Sequence, residues 1–426
     1  MRFDEALARL DARQPEHMPG PSLDRIRAIV GLLDHPELTY PTIHATGTNG
    51  KTTAARVAAA IACAHGISTG LFTSPHLLSV TERFDVCGDP IAEDAFAEEW
   101  EHLEPVLRHV DELGSGEVTY FEALTALAFL WFADKPVALG VFEVGMGGSW
   151  DATNLVAGDV AIVTPIAMDH VAELGPTLAD IAGEKAGVLK PDSIGVIREQ
   201  AQAASEVLRR RAADVGCAMR WEGADWEVEE RLLAVGGQSF RLRGLHATYE
   251  DLFLPLFGAY AVANAAAGVV AYEALTGQAL DEDTVRAGLA SVQAPGRLET
   301  VGHEPLILLD GAHNPAGAEA LAEALRTSFR WERLDLVLAI SANKDAAGII
   351  GALVPLADRT FLARNDSIRS ADPRELRAIA GSEASVFGSV AEAIDAARAD
   401  AGPADVIVVT GSLFTVADAK RVLADR

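Results

Sequence analysis

The stretch Thr46-Gly47-Thr48-Asn49-Gly50-Lys51-Thr52-Thr53 carries the groups that grip a nucleoside triphosphate. Its glycines let backbone N–H groups close round phosphates, Lys51 neutralises their charge, and a threonine hydroxyl can ligate Mg²⁺. The general phosphate-loop pattern has a glycine five residues before Gly50, where this chain has Ala45. A plain strand-to-helix connection is the alternative reading of such a turn. The flanks favour the nucleotide: an apolar, β-like segment from Thr42 precedes it, and an alanine-rich helical run from Ala54 to Ala64 follows, adding a helix N-terminal dipole. Three more polar residues stand out. Glu143 ends an apolar run, His170 follows Asp169 just after another, and Lys185 sits in Gly183-Glu184-Lys185-Ala186-Gly187. Each alone reads as an ordinary strand end, cap or surface lysine. Together, downstream of a phosphate loop, they point to metal-assisted nucleotide chemistry.

The elements that must position these residues follow from periodicity. Two short helices are expected at residues 3–13 and 23–33, separated by a Pro-rich loop at 15–21, with Ser22 as N-cap. From Thr42 onward, strand-length apolar runs (137–143 and 160–164 among them) alternate with helical patterns, which indicates a parallel sheet covered on both faces. Residues 226–257 break that rhythm. Runs at 231–235 and 238–243 around Gly236-Gly237 read as a hairpin, so a small antiparallel extension is expected, then a helix over 262–275. After the turn at 293–297 the alternation restarts, with strands at 306–310, 334–340, 360–363 and 406–410. Helical segments at 316–326, 374–379 and 390–398 lie between them. The fold class is therefore α/β, with an N-terminal P-loop domain over 1–296 and a smaller Rossmann-like domain over 297–426. In such sheets, functional residues gather beyond the carboxyl ends of the strands.

Length and composition narrow the function. The chain has 426 residues, enough for two cores, and 49% hydrophobic with 23% charged residues suits a soluble enzyme. A net charge of −27 argues against nucleic acid or an anionic membrane as partner, and requires that any anionic substrate meet a local cluster of cations. Residues 89–117 hold ten carboxylates and one arginine, read as a solvated helix face. Cys63, Cys87 and Cys217 are widely spaced with no Cys-x-x-Cys pair, which disfavours a disulfide framework or zinc site and suits a reducing cytoplasm. The N-terminus lacks a signal-peptide core, and the longest apolar run, 123–133, is too short to span a membrane.

Nine motifs occur in the order found in one family. They are Gly47 to Thr53, Thr73-Ser74-Pro75-His76, Glu143 to Gly148, Asp151-Ala152-Thr153-Asn154, Met168-Asp169-His170, Glu184 to Gly187, Pro295 to Leu298, Asp310 to Pro315 and Thr410 to Leu413. In this the chain resembles folylpolyglutamate synthase/dihydrofolate synthase, of the Mur ligase superfamily, from about residue 23 to 423. The resemblance implies an ATP-dependent ligase that adds L-glutamate to a reduced folate, and to dihydropteroate, through an acyl phosphate. It places ATP on Gly47, Asn49, Gly50, Lys51, Thr52 and Thr53, with Asn264, Arg297 and Asp310 around base, ribose and phosphates. Two Mg²⁺ ions would be held by Thr52, Ser74, Glu143, His170 and a carboxylated Lys185. His313 and Ser412 would face glutamate and the transferred phosphate, and Lys51 and Lys185 share the catalytic work. Phe121, Glu122, Asp151, Thr153 and Asn154 would line the pterin side, with Phe121 offering a stacking face and Glu122 an acceptor. The expected partners are these small molecules alone, and the acting species a monomer, with loops of the second domain closing over ATP held on the first. Thr-Ser-Pro-His argues against a cell-wall ligase acting on UDP-muramyl substrates. A P-loop kinase or regulatory ATPase would turn over ATP without glutamate.

Three departures from the family pattern are visible. Thr52 replaces the second glycine of Gly-Lys-Gly-Ser, which leaves open which threonine touches metal. Ser149-Trp150 replaces Arg-Leu, losing a cation beside the substrate. Asn343-Lys344-Asp345 replaces Asp-Lys-Asp.

Overall fold

A computed structural model describes residues 1–15 and 22–424, so the expected loop at 15–21 lies, but for Pro15, outside the described residues. The chain divides into two compact units. The first comprises residues 1–232, 239–254 and 263–292, and the second residues 233–238, 255–262 and 293–426.

The first unit is built on eight strands: β1 (Thr42–Thr46), β2 (Thr69–Phe72), β3 (Phe84–Val86), β4 (Asp89–Pro90), β5 (Leu139–Glu143), β6 (Val160–Val163), β7 (Ile194–Ile197) and β8 (Ala218–Trp221). Their order is β4-β3-β2-β5-β1-β6-β7-β8. Strands β2, β5, β1, β6, β7 and β8 run parallel, and β3 and β4 add an antiparallel edge. β1 is therefore central, and all five of its residues are buried. Two apolar clusters cover the sheet. One joins Phe72 and Phe142 to the helices Asp24–Leu32, Glu93–Glu112 and Tyr120–Asp134. The other joins Ala161 and Val163 to the helices Leu178–Lys185 and Gln202–Val215. The helix Tyr120–Asp134 is apolar nearly all round because it is enclosed nearly all round; its one strong start signal is the capping box of Thr119 and Glu122.

A separate three-stranded sheet has β10 (Gly237–Arg243) between β9 (Glu227–Ala234) and β11 (Thr248–Leu254). The hairpin expected at 231–243 is present, but β11 was not readable, since Glu250 and Asp251 are both exposed and mask its alternation. The second unit orders its strands β12 (Glu299–His303), β13 (Leu306–Leu309), β17 (Val406–Thr410), β14 (Leu334–Leu338), β15 (Arg359–Leu362), β16 (Ser385–Val386). All are parallel except β12, a bulged antiparallel edge. The fold is thus the expected α/β class with a small extra sheet and a smaller second sheet. The opening helices are shorter than expected, Phe3–Asp11 and Asp24–Leu32. Ser22 is not the N-cap residue, though its hydroxyl accepts from the Asp24 N–H at 3.0 Å.

The reading of the cysteines also fails. Cys63 and Cys87 are joined by a disulfide, their Cα atoms 5.5 Å apart. Spacing along the chain could not reveal this, because antiparallel β2–β3 pairing carries Cys87 back beside Thr69, where its N–H donates to the Thr69 carbonyl at 3.1 Å. Cys63 sits in the last turn of the helix Lys51–Ala64. Cys217 is free and buried. No described helix is long and apolar enough to cross a membrane.

Candidate active site

The phosphate-loop residues leave the carboxyl end of β1 and enter the helix Lys51–Ala64. Two glycines are obligatory there. Gly47 has φ +141°, and an added Cβ would lie 2.8 Å from the Thr164 carbonyl; Gly50 has φ +90°, and its Cβ would strike the Asn264 amide at 2.1 Å. The loop is tied to the segment after β6. The Thr48 N–H donates to the Pro165 carbonyl at 3.0 Å, and the Thr48 hydroxyl donates to the Ala167 carbonyl at 3.1 Å. Asn49 sits partly buried at the loop tip and Thr53 is buried.

Lys51 Nζ donates to the carbonyls of Gly47 and Thr48, at 3.2 and 3.3 Å. Lys185, 4% exposed, donates to the same Gly47 carbonyl at 2.8 Å. Burial and the neighbouring Lys51 charge pull the Lys185 pKa down to about 7, against a partial offset from Asp169, Asp151 and Glu184. A lysine that reads as an ordinary helix residue is thus a buried amine poised near neutrality. Glu143, 2% exposed, accepts from the Thr52 hydroxyl at 2.8 Å and from the Ser74 N–H at 3.1 Å. Of the two candidate threonines, Thr52 is the one placed on Glu143. The structure therefore brings Thr52, through its hydroxyl, and Ser74, through its backbone N–H, onto the Glu143 carboxylate. His170, partly buried with φ +50°, stands on the loop after β6 beside Asp169 and Glu173, at 3.9 and 4.0 Å.

Asn264, buried, is held by Arg198 Nη1, which donates to its Oδ1; Arg198 Nε in turn donates to Glu222 at 2.7 Å. Neither Arg198 nor Glu222 was singled out from sequence. Arg198 directly follows the apolar run of β7, so its strand-end position was the available signal.

The pterin-side expectations are changed in two places. Glu122 is not a free acceptor: it is 5% exposed, takes the Arg25 Nε at 2.9 Å, and takes the Thr119 N–H at 2.8 Å as part of the capping box. Thr153 is fully buried between His44 Nε2, at 2.8 Å, and Asp151, so its hydroxyl holds the loop. Asp151, 3% exposed, accepts from the N–H groups of Met146 and Thr153, at 2.9 and 3.0 Å. Asn154 donates to the carbonyls of Ser149 and Gly187, at 3.2 and 3.3 Å. The Phe121 ring is 8% exposed and lies 6.0 Å from that of Phe72. Nearby on the Ser74 loop, Arg83 Nε donates to His76 Nδ1 at 3.0 Å.

In the second unit, the loops after β13 and β17 leave adjacent parallel strands. They touch closely: a Cβ on Gly311 would lie 2.4 Å from a Leu413 methyl. Asp310, 5% exposed, accepts from the N–H groups of Leu298 and Ala312, both at 2.8 Å. Burial raises its pKa, and partly buried Arg297 opposes the rise. His313 Nδ1 is 2.9 Å from the Gly311 carbonyl, and the Ser412 hydroxyl accepts from the Phe414 N–H at 3.2 Å.

A phosphate loop at the centre of one parallel α/β unit, together with a second Rossmann-like unit, defines a Mur-type ligase. Residues 45–272 match the Mur ligase middle domain, and residues 296–413 the Mur ligase, glutamate ligase domain. The dihydrofolate synthase/folylpolyglutamate synthase of Mycobacterium tuberculosis is 40% identical, over 98% of this chain and 93% of its own length. The Bacillus subtilis protein of the same name is 32% identical over 95% of each. Mycobacterium tuberculosis folylpolyglutamate synthase, solved with ADP, superposes with a TM-score of 0.94 at 39% identity, covering 99% of this chain and 98% of that one. E. coli FolC in complex with DHPP and ADP gives a TM-score of 0.89 at 31% identity, covering 100% and 98%. The chain belongs to the dihydrofolate synthase/folylpolyglutamate synthase family of Mur ligases.

Proposed function

We propose that the protein joins the amino group of L-glutamate to the carboxylate of a reduced folate, and of dihydropteroate, at the expense of ATP. The observation that carries this reading is the paired amines of Lys51 and Lys185 on one loop carbonyl, next to a buried carboxylate group, in a chain of this family. A carboxylate resists amines because oxide is a very poor leaving group. Transfer of the γ-phosphoryl group to the carboxylate oxygen gives ADP and an acyl phosphate. The amine of glutamate then attacks the acyl carbon, the C–O bond to phosphate breaks, and the amine loses its proton as the amide forms. Lys51 turns from the loop carbonyls to the phosphates and offsets charge on the transferring oxygens, aided by the loop N–H groups. Asn264, Arg297 and Asp310 are assigned to the nucleotide, His313 and Ser412 to glutamate and phosphate, with ATP chemistry on residues 1–296 and glutamate chemistry on 297–426.

The hydroxyl and carboxylate donors of Thr52, Ser74 and Glu143 fit Mg²⁺, which prefers hard oxygen ligands, and His170 completes the assigned set. When bound, Mg²⁺ stabilises charge on the phosphoryl group. Lys185 is assigned as an N-carboxylated residue: an ammonium beside Lys51 and a divalent ion is repelled, whereas a carbamate adds an anionic oxygen.

ADP release with dihydropteroate, tetrahydrofolate or a UDP-muramyl peptide, each with and without glutamate, tests the proposal. The expected result is ADP release that needs a pterin substrate and glutamate together. Release that is independent of both, or specific to the UDP-muramyl peptide, overturns it.

A further inference from the structure

The acidic helix Glu93–Glu112 holds a group of side chains that the ligase chemistry does not use. Glu99 and His102 lie three residues apart and so share a face of that helix. Asp134 is the last residue of the neighbouring helix Tyr120–Asp134. One ligand atom from each of the three lies within 4.8 Å of the others. His102 and Asp134 are exposed, whereas Glu99 is only 8% exposed. Its Oε2 is buried and has no hydrogen-bond partner. That is the anomaly, since a buried carboxylate oxygen is normally bonded.

The surroundings make the site electronegative. Asp134 sits at the carboxyl end of its helix, where the dipole already disfavours negative charge. Glu98 adds a further carboxylate beside Glu99. Burial, with the charge of Asp134, pushes the Glu99 pKa up to about 7. Protonation would relieve the charge, yet it leaves Oε2 without a partner. A cation would offset the charge and give the Glu99 carboxylate a partner.

We propose that Glu99, His102 and Asp134 form a binding site for a divalent transition-metal ion that fastens the helix Glu93–Glu112 to the end of the helix Tyr120–Asp134, apart from the catalytic centre. The donor set decides the ion class. Two carboxylates and an imidazole suit Zn²⁺ or Mn²⁺, whereas Mg²⁺ favours oxygen and keeps its waters. Ligand atoms around a tetrahedral zinc lie roughly 3.4 Å apart, so a small rotation of the two exposed side chains closes the site, with water as a fourth ligand.

The test uses the full chain, stripped with EDTA and kept in excess Mg²⁺, titrated with Zn²⁺ by calorimetry and followed by thermal unfolding. Wild type should bind one Zn²⁺ more than His102→Ala or Asp134→Asn, and Zn²⁺ should raise its melting temperature. Both variants, altered only at exposed positions, should need at least about tenfold more Zn²⁺ for the same shift. Glu99→Gln should lose the extra ion while melting no lower than wild type when metal-free, because it removes an unsatisfied buried acid. Zn²⁺ stoichiometry and protection equal in wild type and all three variants would overturn the proposal, as would a wild type that gains no protection. A metal-free Glu99→Gln that melts well below wild type would show instead that the carboxyl is held as an ordinary structural acid, and would also overturn it.

Discussion

Two amines converge on one carbonyl oxygen in this site, and each should respond to change in its own way. Lys51→Ala removes the charge aimed at the phosphates while leaving the loop backbone intact, so ATP turnover should fall by at least about a hundredfold. Steady-state ADP release measures it, and near wild-type turnover would refute the phosphate assignment. Lys185 behaves differently because its pKa is lowered to about 7. A base whose folded pKa lies below its ordinary value sheds its proton earlier as pH rises. The neutral amine, the form that takes up CO₂, thus grows from about a tenth at pH 6 to about nine-tenths at pH 8. Carbamate formation consumes the neutral amine and releases a proton, so at fixed dissolved CO₂ the labelling read by ¹³C NMR should rise at least roughly tenfold between those pH values. A flat profile, or an unlabelled Lys185, would remove the carbamate. The assignment of the chain as a ligase would stand without it.

Among the elements, the pair Arg25–Glu122 is a buried ion pair between two helices. It links the helix Asp24–Leu32 to the first turn of the helix Tyr120–Asp134, with both side chains under a tenth exposed. Arg25→Ala strands a buried carboxylate and should cost about 3–5 kcal/mol. Adding Glu122→Gln to that variant should restore part of the loss. Urea unfolding of the two variants reads this, and equal midpoints for wild type and Arg25→Ala would show that the pair is dispensable. The same helices show how far periodicity carries. The alternating apolar runs of β1, β5, β6, β13, β14, β15 and β17 were legible because each is enclosed by helices and must be apolar throughout. The short strands at or next to a sheet edge, β3, β4, β12 and β16, were not, since the margin of a sheet tolerates the Asp85, Asp89, Glu299 and His303 found there.

Across the whole molecule, one covalent link adds to these contacts. The Cys63–Cys87 bond closes a loop of 24 positions. Chain entropy alone would then stabilise the folded state by about 3.5 kcal/mol. Urea unfolding with and without dithiothreitol should show a lower midpoint when reduced, and Cys63→Ser should match the reduced wild type. Identical midpoints would mean that the bond adds nothing to stability. The net charge of −27 belongs to this scale as well. It makes the cations Lys51 and Arg297 local exceptions, which is how an acidic chain can receive anionic substrates.

The sequence by itself determined the phosphate grip, the order of the motifs, the α/β class and the family. A nucleotide is held by contiguous backbone, so Gly47 to Thr53 announce it locally, and most buried parallel strands announce themselves through composition, although β2 and β7 did not. What each side chain does was decided by partners distant in the chain. Lys185 meets Gly47 across 138 positions, and that contact, with burial beside Lys51, turns a helix lysine into a near-neutral amine. Glu122 meets Arg25 across 97 positions and becomes the anion of a buried ion pair. Thr153 is enclosed by His44, and Cys87 is carried to Cys63 by strand pairing. Periodicity reports which face of an element is buried. Only the tertiary structure reports what lies against it, and charge state, hydrogen bonding and disulfide pairing all depend on that neighbour.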